Sequence, residues 1–147
     1  MTCSIYAISK KTPEFASLLA QQQRACQQFR ATLEIIDIAP KASNNSTEAQ
    51  SFYTKALSPY IKPSTPGYAL HPAGKLIDSQ EFSQILNTHA HVQFFIAGAY
   101  GFAKEFLKQC IPLSLSPLTF SHALAKLILC EQIFRGLSLL NNHPYHK

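Results

Sequence analysis

The chain contains no tryptophan, one methionine, five glycines and only eight carboxylates. The shortage of acid has the clearest consequence. Thirteen Lys and Arg stand against those eight residues, and the formal charge of +5 favours polyanionic partners over acidic-surface chemistry. The basic residues are scattered, so a basic patch has to be assembled by folding. Four cysteines, Cys3, Cys26, Cys110 and Cys130, form no CxxC pair and have no histidines at zinc-finger spacing. That argues against a metal and for free thiols in a reducing cytoplasm. Cys26 and Cys130 fall within helical patterns and are expected as small core residues. No apolar h-region follows Met1, and the longest apolar stretches, such as VQFFIAGAYGFA, fall short of the roughly 20 residues a membrane helix needs. The glycines never assume the GxGxxG spacing, which disfavours a dinucleotide-binding reductase.

Apolar residues, in contrast, are plentiful. At 46% apolar and 14% charged, 147 residues suffice for a single domain, 1–147, with a full core, and disorder is excluded. Strands are expected at 3–8 (CSIYAI), 32–38 (TLEIIDI), 68–70 (YAL), 92–98 (VQFFIAG) and in the extended piece ending at 113–116. The run at 92–98 is continuous rather than alternating, as in a strand covered on both faces. Helices are expected between them. Thr12 caps the first, with Pro13 at its first position; Thr47 caps the second, Asp78 opens the third, AKEFLKQ forms the fourth, and a long one spans about His122 to Leu140. This alternation predicts an α/β fold with a parallel-dominated sheet and helices on both faces. In such sheets ligands lie beyond the carboxyl ends of the strands.

Three segments occupy those ends. ALHPAGK (69–75) sets a glycine and a lysine just past a strand. FFIAGAYGF (94–102) passes through Gly98 and Gly101 into a helix and can present backbone N–H groups to a ligand. LSLSPLTFSH (113–122) alternates hydroxyls with apolar side chains, a pattern that can cover the faces of an adenine and bond its edge. Ser121 is also positioned to cap the final helix, and His122 in its first turn either meets a phosphate or is a satisfied histidine.

The final helix is apolar around most of its circumference. Ala123, Leu124, Leu127, Ile128, Ile133, Phe134, Leu137 and Leu140 leave Glu131, Arg135 and Ser138 as the main polar face. Such a helix needs cover on more than one side, and a second copy in a two-fold dimer is an economical one. Glu131 and Arg135 are ordered as a favourable i, i+4 pair. The closing NNHPYHK then emerges beside the seam. Tyr145 and His146 could stack on a base, and Lys147 could meet a phosphate.

The strings FFIAGAYGF, LSLSPLTFSHALAKLILCEQIFRG and NNHPYHK resemble the RlmH-type family of large-subunit ribosomal RNA pseudouridine N3-methyltransferases, within the SPOUT methyltransferases. The similarity covers nearly the whole chain. Its most specific parts are LTF-x-H, EQ-x-x-R on the last helix and the terminal Tyr-His with a cation. The resemblance implies a homodimer with a carboxyl-terminal trefoil knot. It also implies S-adenosylmethionine bound by Leu70, Ala97, Gly98, Leu115, Ser116, Pro117, Leu118, Thr119 and Phe120. Methyl transfer to N3 of a pseudouridine in 23S ribosomal RNA, on the assembled ribosome, would use Arg135, Tyr145, His146, Lys147 and His122, without a metal. Ala97 stands where members usually carry glycine, Tyr100 where they often carry an acid or amide, and Ser121 where they carry proline. A non-catalytic, dimeric ribosome-associated RNA-binding protein on the same fold is the alternative.

Overall fold

The computed structural model describes residues 1–147, and its elements alternate as the sequence patterns require. They are β1 (Thr2–Ile8), α1 (Pro13–Gln27), β2 (Thr32–Ile38), α2 (Ser46–Leu57), β3 (Gly67–Leu76), α3 (Ser79–Asn87), β4 (His91–Ile96), α4 (Lys104–Leu107), β5 (Ile111–Ser114) and α5 (His122–Leu140). A single 3-10 turn, Ser58–Tyr60, follows α2. The five strands form one sheet in the order β2-β1-β4-β3-β5, and every pairing is parallel.

Strand alternation divides the core into two. Cys3, Ile5, Ala7, Val92, Phe94 and Ile96 point to one face, where α1, α3 and α5 bring Leu19, Cys26, Phe82, Leu86, Leu129, Cys130, Ile133 and Leu137. Tyr6, Ile8, Ala69, Phe95 and Ala97 point to the other, under Ala49, Tyr53 and Leu57 of α2 and Phe102 and Phe106 around α4. β4 is therefore buried on both faces, which explains its continuous apolar run. The cysteines behave as small hydrophobes. Burial pushes the Cys3 and Cys130 thiols up to about 12 and those of Cys26 and Cys110 to about 11. None is a thiolate at neutral pH.

The helix ends correct two expectations. Asn45, not Thr47, caps α2, accepting from the Glu48 N–H at 3.0 Å. Thr12 occupies the cap position of α1 without capping it; its hydroxyl donates to the Lys10 carbonyl at 3.4 Å. Asp78 forms a full capping box, accepting from the Glu81 N–H at 2.8 Å while the Glu81 carboxylate accepts from the Asp78 N–H at 3.1 Å. The fourth helix is a single turn, and Ser138 is buried rather than part of a polar face, donating to the Arg135 carbonyl at 2.7 Å.

β3 is the largest departure. It continues well past the expected 68–70 and runs beside β5 twice, pairing Leu70 with Leu113 and then Lys75 with the same Leu113. Residues 71–74 bow out between the two pairings. Gly74 sits so close to β5 that a Cβ there would lie 2.5 Å from the Leu113 nitrogen and 2.6 Å from the Pro112 carbonyl carbon. Only glycine permits that approach.

Candidate functional site

In the sheet order, β4, β3 and β5 are neighbours, so the segments leaving their carboxyl ends must meet. They enclose a cavity of about 200 Å³. Leu70, His71 and Pro72 come from β3, Ile96 to Ala99 with Gly101 from β4, and Leu113 to Ser116 with Leu118 to Phe120 from β5. The first turn of α5 adds His122 and Ala125.

Local chemistry fixes each wall. Gly101 adopts φ 71°, and its N–H donates to the Gly98 carbonyl at 3.1 Å, closing a tight turn after β4. Gly98 is packed against Tyr53, whose hydroxyl would lie 2.4 Å from a Cβ at that position. Ala97 is buried in the second core cluster and at the same time lines the cavity. After β5, Ser114 Oγ donates to the Ser116 carbonyl at 3.0 Å and Ser116 Oγ accepts from the Leu118 N–H at 3.0 Å. Ser121 caps α5, accepting from the Leu124 N–H at 3.3 Å.

Of the nine residues expected to hold a cofactor, eight line this cavity; Pro117 does not. His122 lines it as well, and burial holds its imidazole below the usual histidine range. It is therefore neutral at pH 7 and able to accept a proton. Sequence reasoning passed over His71. Its Nδ1 accepts from the Ala73 N–H at 3.1 Å, so the neutral ring carries its proton on Nε2 as a donor. The available signal was a histidine directly after the β3 segment in HPAGK.

The expected catalytic group divides. Arg135, Tyr145 and His146 form a separate cluster at the carboxyl half of α5. The Arg135 guanidinium bonds Glu131 at 2.6 Å and 3.0 Å and lies 3.2 Å from His146 Nδ1. The Tyr145 hydroxyl donates to Glu131 at 3.0 Å, and Arg135 covers the Tyr145 ring at 4.8 Å. Bonding to Glu131 raises the Arg135 pKa further; burial, then Glu131, raises that of Tyr145. The chain is folded back by His143, whose N–H donates to the Ser138 carbonyl at 2.9 Å and whose ring packs edge-on against Phe29 and Phe134. Glu131 also accepts from Gln132, which accepts from the Ser79 hydroxyl at 2.6 Å, tying the cluster to α3. Lys147 is exposed. His122 and Arg135 are roughly 20 Å apart along the helix axis at the usual rise, and Ala125 of the cavity and Glu131 of the cluster about 9 Å apart. Within one copy the tail does not reach the cavity.

Comparison with known proteins gives this arrangement a context. The family described as "Predicted SPOUT methyltransferase" matches residues 1–146. The chain is 45% identical over 152 residues to a protein of Helicobacter pylori (strain Shi470) named ribosomal RNA large subunit methyltransferase H, with all of both chains covered. Proteins of the same name from Helicobacter acinonychis (strain Sheeba) and Helicobacter hepaticus (strain ATCC 51449 / 3B1) are 45% and 42% identical, again over the full length of both chains.

Proposed function

The chain belongs to the SPOUT methyltransferase family, and from that premise we propose that it methylates large-subunit ribosomal RNA, using S-adenosylmethionine as donor and N3 of a pseudouridine as acceptor. The observation that carries this reading is the single cavity in which three neighbouring strand ends collect Leu70, Ala97, Gly98 and the 115–120 loop. Its lining suits a nucleoside bearing a sulfonium. Leucines and Phe120 offer apolar faces, Ser and Thr offer hydroxyls, and the cavity walls carry no ammonium or guanidinium to repel the positive sulfur.

When bound, the donor supplies an already activated methyl group. The protein's share is then to align N3 with the methyl carbon, exclude water, and receive the imide proton. His122 faces the cavity in its neutral form and would receive the imide proton there. Arg135 and Lys147 are placed on the tail side to stabilise negative charge on the base, with Tyr145 and His146 holding it.

This division of labour requires two copies. A cavity of about 200 Å³ is below the roughly 300–1,000 Å³ of a complete small-molecule site. Its rim carries the exposed apolar Leu118, at 72% exposure, and Leu124 in the first turn of α5 is 38% exposed. Leu124, Ile128, Glu131 and Arg135 continue as one partly exposed stripe along α5. Antiparallel pairing of that stripe across a two-fold axis would lay the tail of one copy over the cavity of the other. The trefoil threading of the carboxyl-terminal part around the β3 bow belongs to the same reading.

Transfer of isotopically labelled methyl groups to large ribosomal subunits tests it. The expected product is one methylated pseudouridine, identified by mass spectrometry. Calorimetry showing no interaction with S-adenosylmethionine at high protein concentration would overturn it.

A further inference from the structure

A second concavity is larger than the one just described. A cleft of about 590 Å³ lies along α2, lined among others by Lys41, Ser43, Thr47, Glu48, Phe52 and Lys55. Helical spacing produces it. Ala49, Tyr53 and Leu57 turn into the core, which leaves Glu48, Phe52 and Lys55 on the open side. The segment leaving the carboxyl end of β2 places Lys41 and Ser43 opposite them. Neither lysine takes part in an ion pair. Glu48 is the one carboxylate in the lining and accepts from the Ser43 hydroxyl at 3.3 Å, so the cleft keeps a net positive charge.

Tyr100 joins this cleft to the cofactor cavity. Its hydroxyl donates to the Ser43 carbonyl at 3.4 Å, and its own carbonyl accepts from Gln50 Nε2 at 2.8 Å. Yet Tyr100 belongs to the Gly98–Gly101 turn that walls the cavity. Tyr100 is 40% exposed. From Tyr100 the cleft runs along α2, with Lys41 just beyond the carboxyl end of β2 and Lys55 in the helix's last turn, and neither ammonium is paired. Single-stranded RNA has the matching chemistry, with phosphates for the lysines and an unstacked base for the ring. An acidic peptide would use the charges and leave the ring idle.

We propose that the α2 cleft is the track for the RNA strand flanking the target nucleotide, with Lys41 and Lys55 on phosphates and Tyr100 under a neighbouring base. This rests on the ribosomal RNA reading of the cavity. The test measures association of the full-length protein with isolated large ribosomal subunits across a salt series, alongside methyl transfer. For K41Q/K55Q the dissociation constant at 0.1 M salt should rise roughly 25-fold, about five-fold per phosphate contact, and the slope of log K against log salt should flatten by about 0.7 per lysine. KM for the subunits should rise with kcat unchanged, and S-adenosylmethionine affinity by calorimetry should not move. Y100A should weaken association while Y100F retains it. Wild-type salt dependence in K41Q/K55Q overturns the track, as does an equal loss from K108Q, beside the amino end of β5. So does a parallel loss of donor affinity, which would assign the lysines to the cavity instead. Binding with the expected slope but without methyl transfer would uphold the track and remove the transferase reading.

Discussion

Lys126 enters the core because Asp37 and Ser9 meet it there. It is fully buried in α5, its ammonium is 2.6 Å from the Asp37 carboxylate, and Ser9 Oγ donates to the same carboxylate at 3.0 Å. The pair pins α5 across the carboxyl ends of β1 and β2. Removing one partner strands the other, so K126M should cost roughly 3–5 kcal/mol in urea unfolding, whereas a K126M/D37L double variant should recover most of it. His122 carries a second residue-scale prediction. Its folded pKa lies below the ordinary value near 6.5, so protonation favours the unfolded chain; its contribution is full above about 6.5 and is lost as pH falls through the lowered value. The acid limb of the methyl-transfer profile should therefore lie below pH 6.5. H122Q should lower kcat by roughly 100-fold, a typical loss for a general base, without changing donor affinity. Stopped-time assays across pH check both. At this scale the sequence was legible where chemistry is local. The helix start at Asp78, the Ser121 cap and the Glu131–Arg135 pair could be read from spacing alone. Lys126 could not, because its partner Asp37 is remote in the chain.

Among the elements, β1, β2, β4 and α5 followed from periodicity because each satisfies its pattern within one segment. β3 did not. HPAGK contains the residues of a turn, and the segment pairs again with β5 only because Gly74 tolerates backbone contact that any side chain would forbid. That requirement lives in β5, not in residues 67–76. G74A should consequently unfold the region around β5 and abolish donor binding, measured by calorimetry and thermal melting. The tail is the other informative element. Its resemblance to a family signature drew attention to Tyr145 and His146, but not to their anchor, the edge-on packing of His143 against the Phe29–Phe134 pair. Removing His143–Lys147 should leave the chain folded and able to bind the donor, with a lowered melting temperature, while methyl transfer falls by at least about 100-fold, the scale expected when positioning and charge stabilisation are both lost. Full activity in the truncated protein would make the tail dispensable.

At the scale of the whole molecule, the parallel α/β class was readable from alternation, whereas the strand order β2-β1-β4-β3-β5 was not. Order depends on pairings between remote segments, which no local pattern encodes. It is nevertheless what creates the site, by making β4, β3 and β5 neighbours. The structure also sets a problem that a single copy leaves unsolved, since no residue of the tail lines the cavity. The account therefore stands or falls on a shared site, and subunit complementation measures this most directly. One variant, T119R, would block the cavity through an exposed loop position; the other would lack His143–Lys147. Each alone should be inactive. Unfolded together at equal amounts and refolded, half the dimers would be mixed and each would hold one intact site, so about a quarter of wild-type activity should return. If the mixture stays inactive, each cavity depends on its own tail and the two-copy account is wrong.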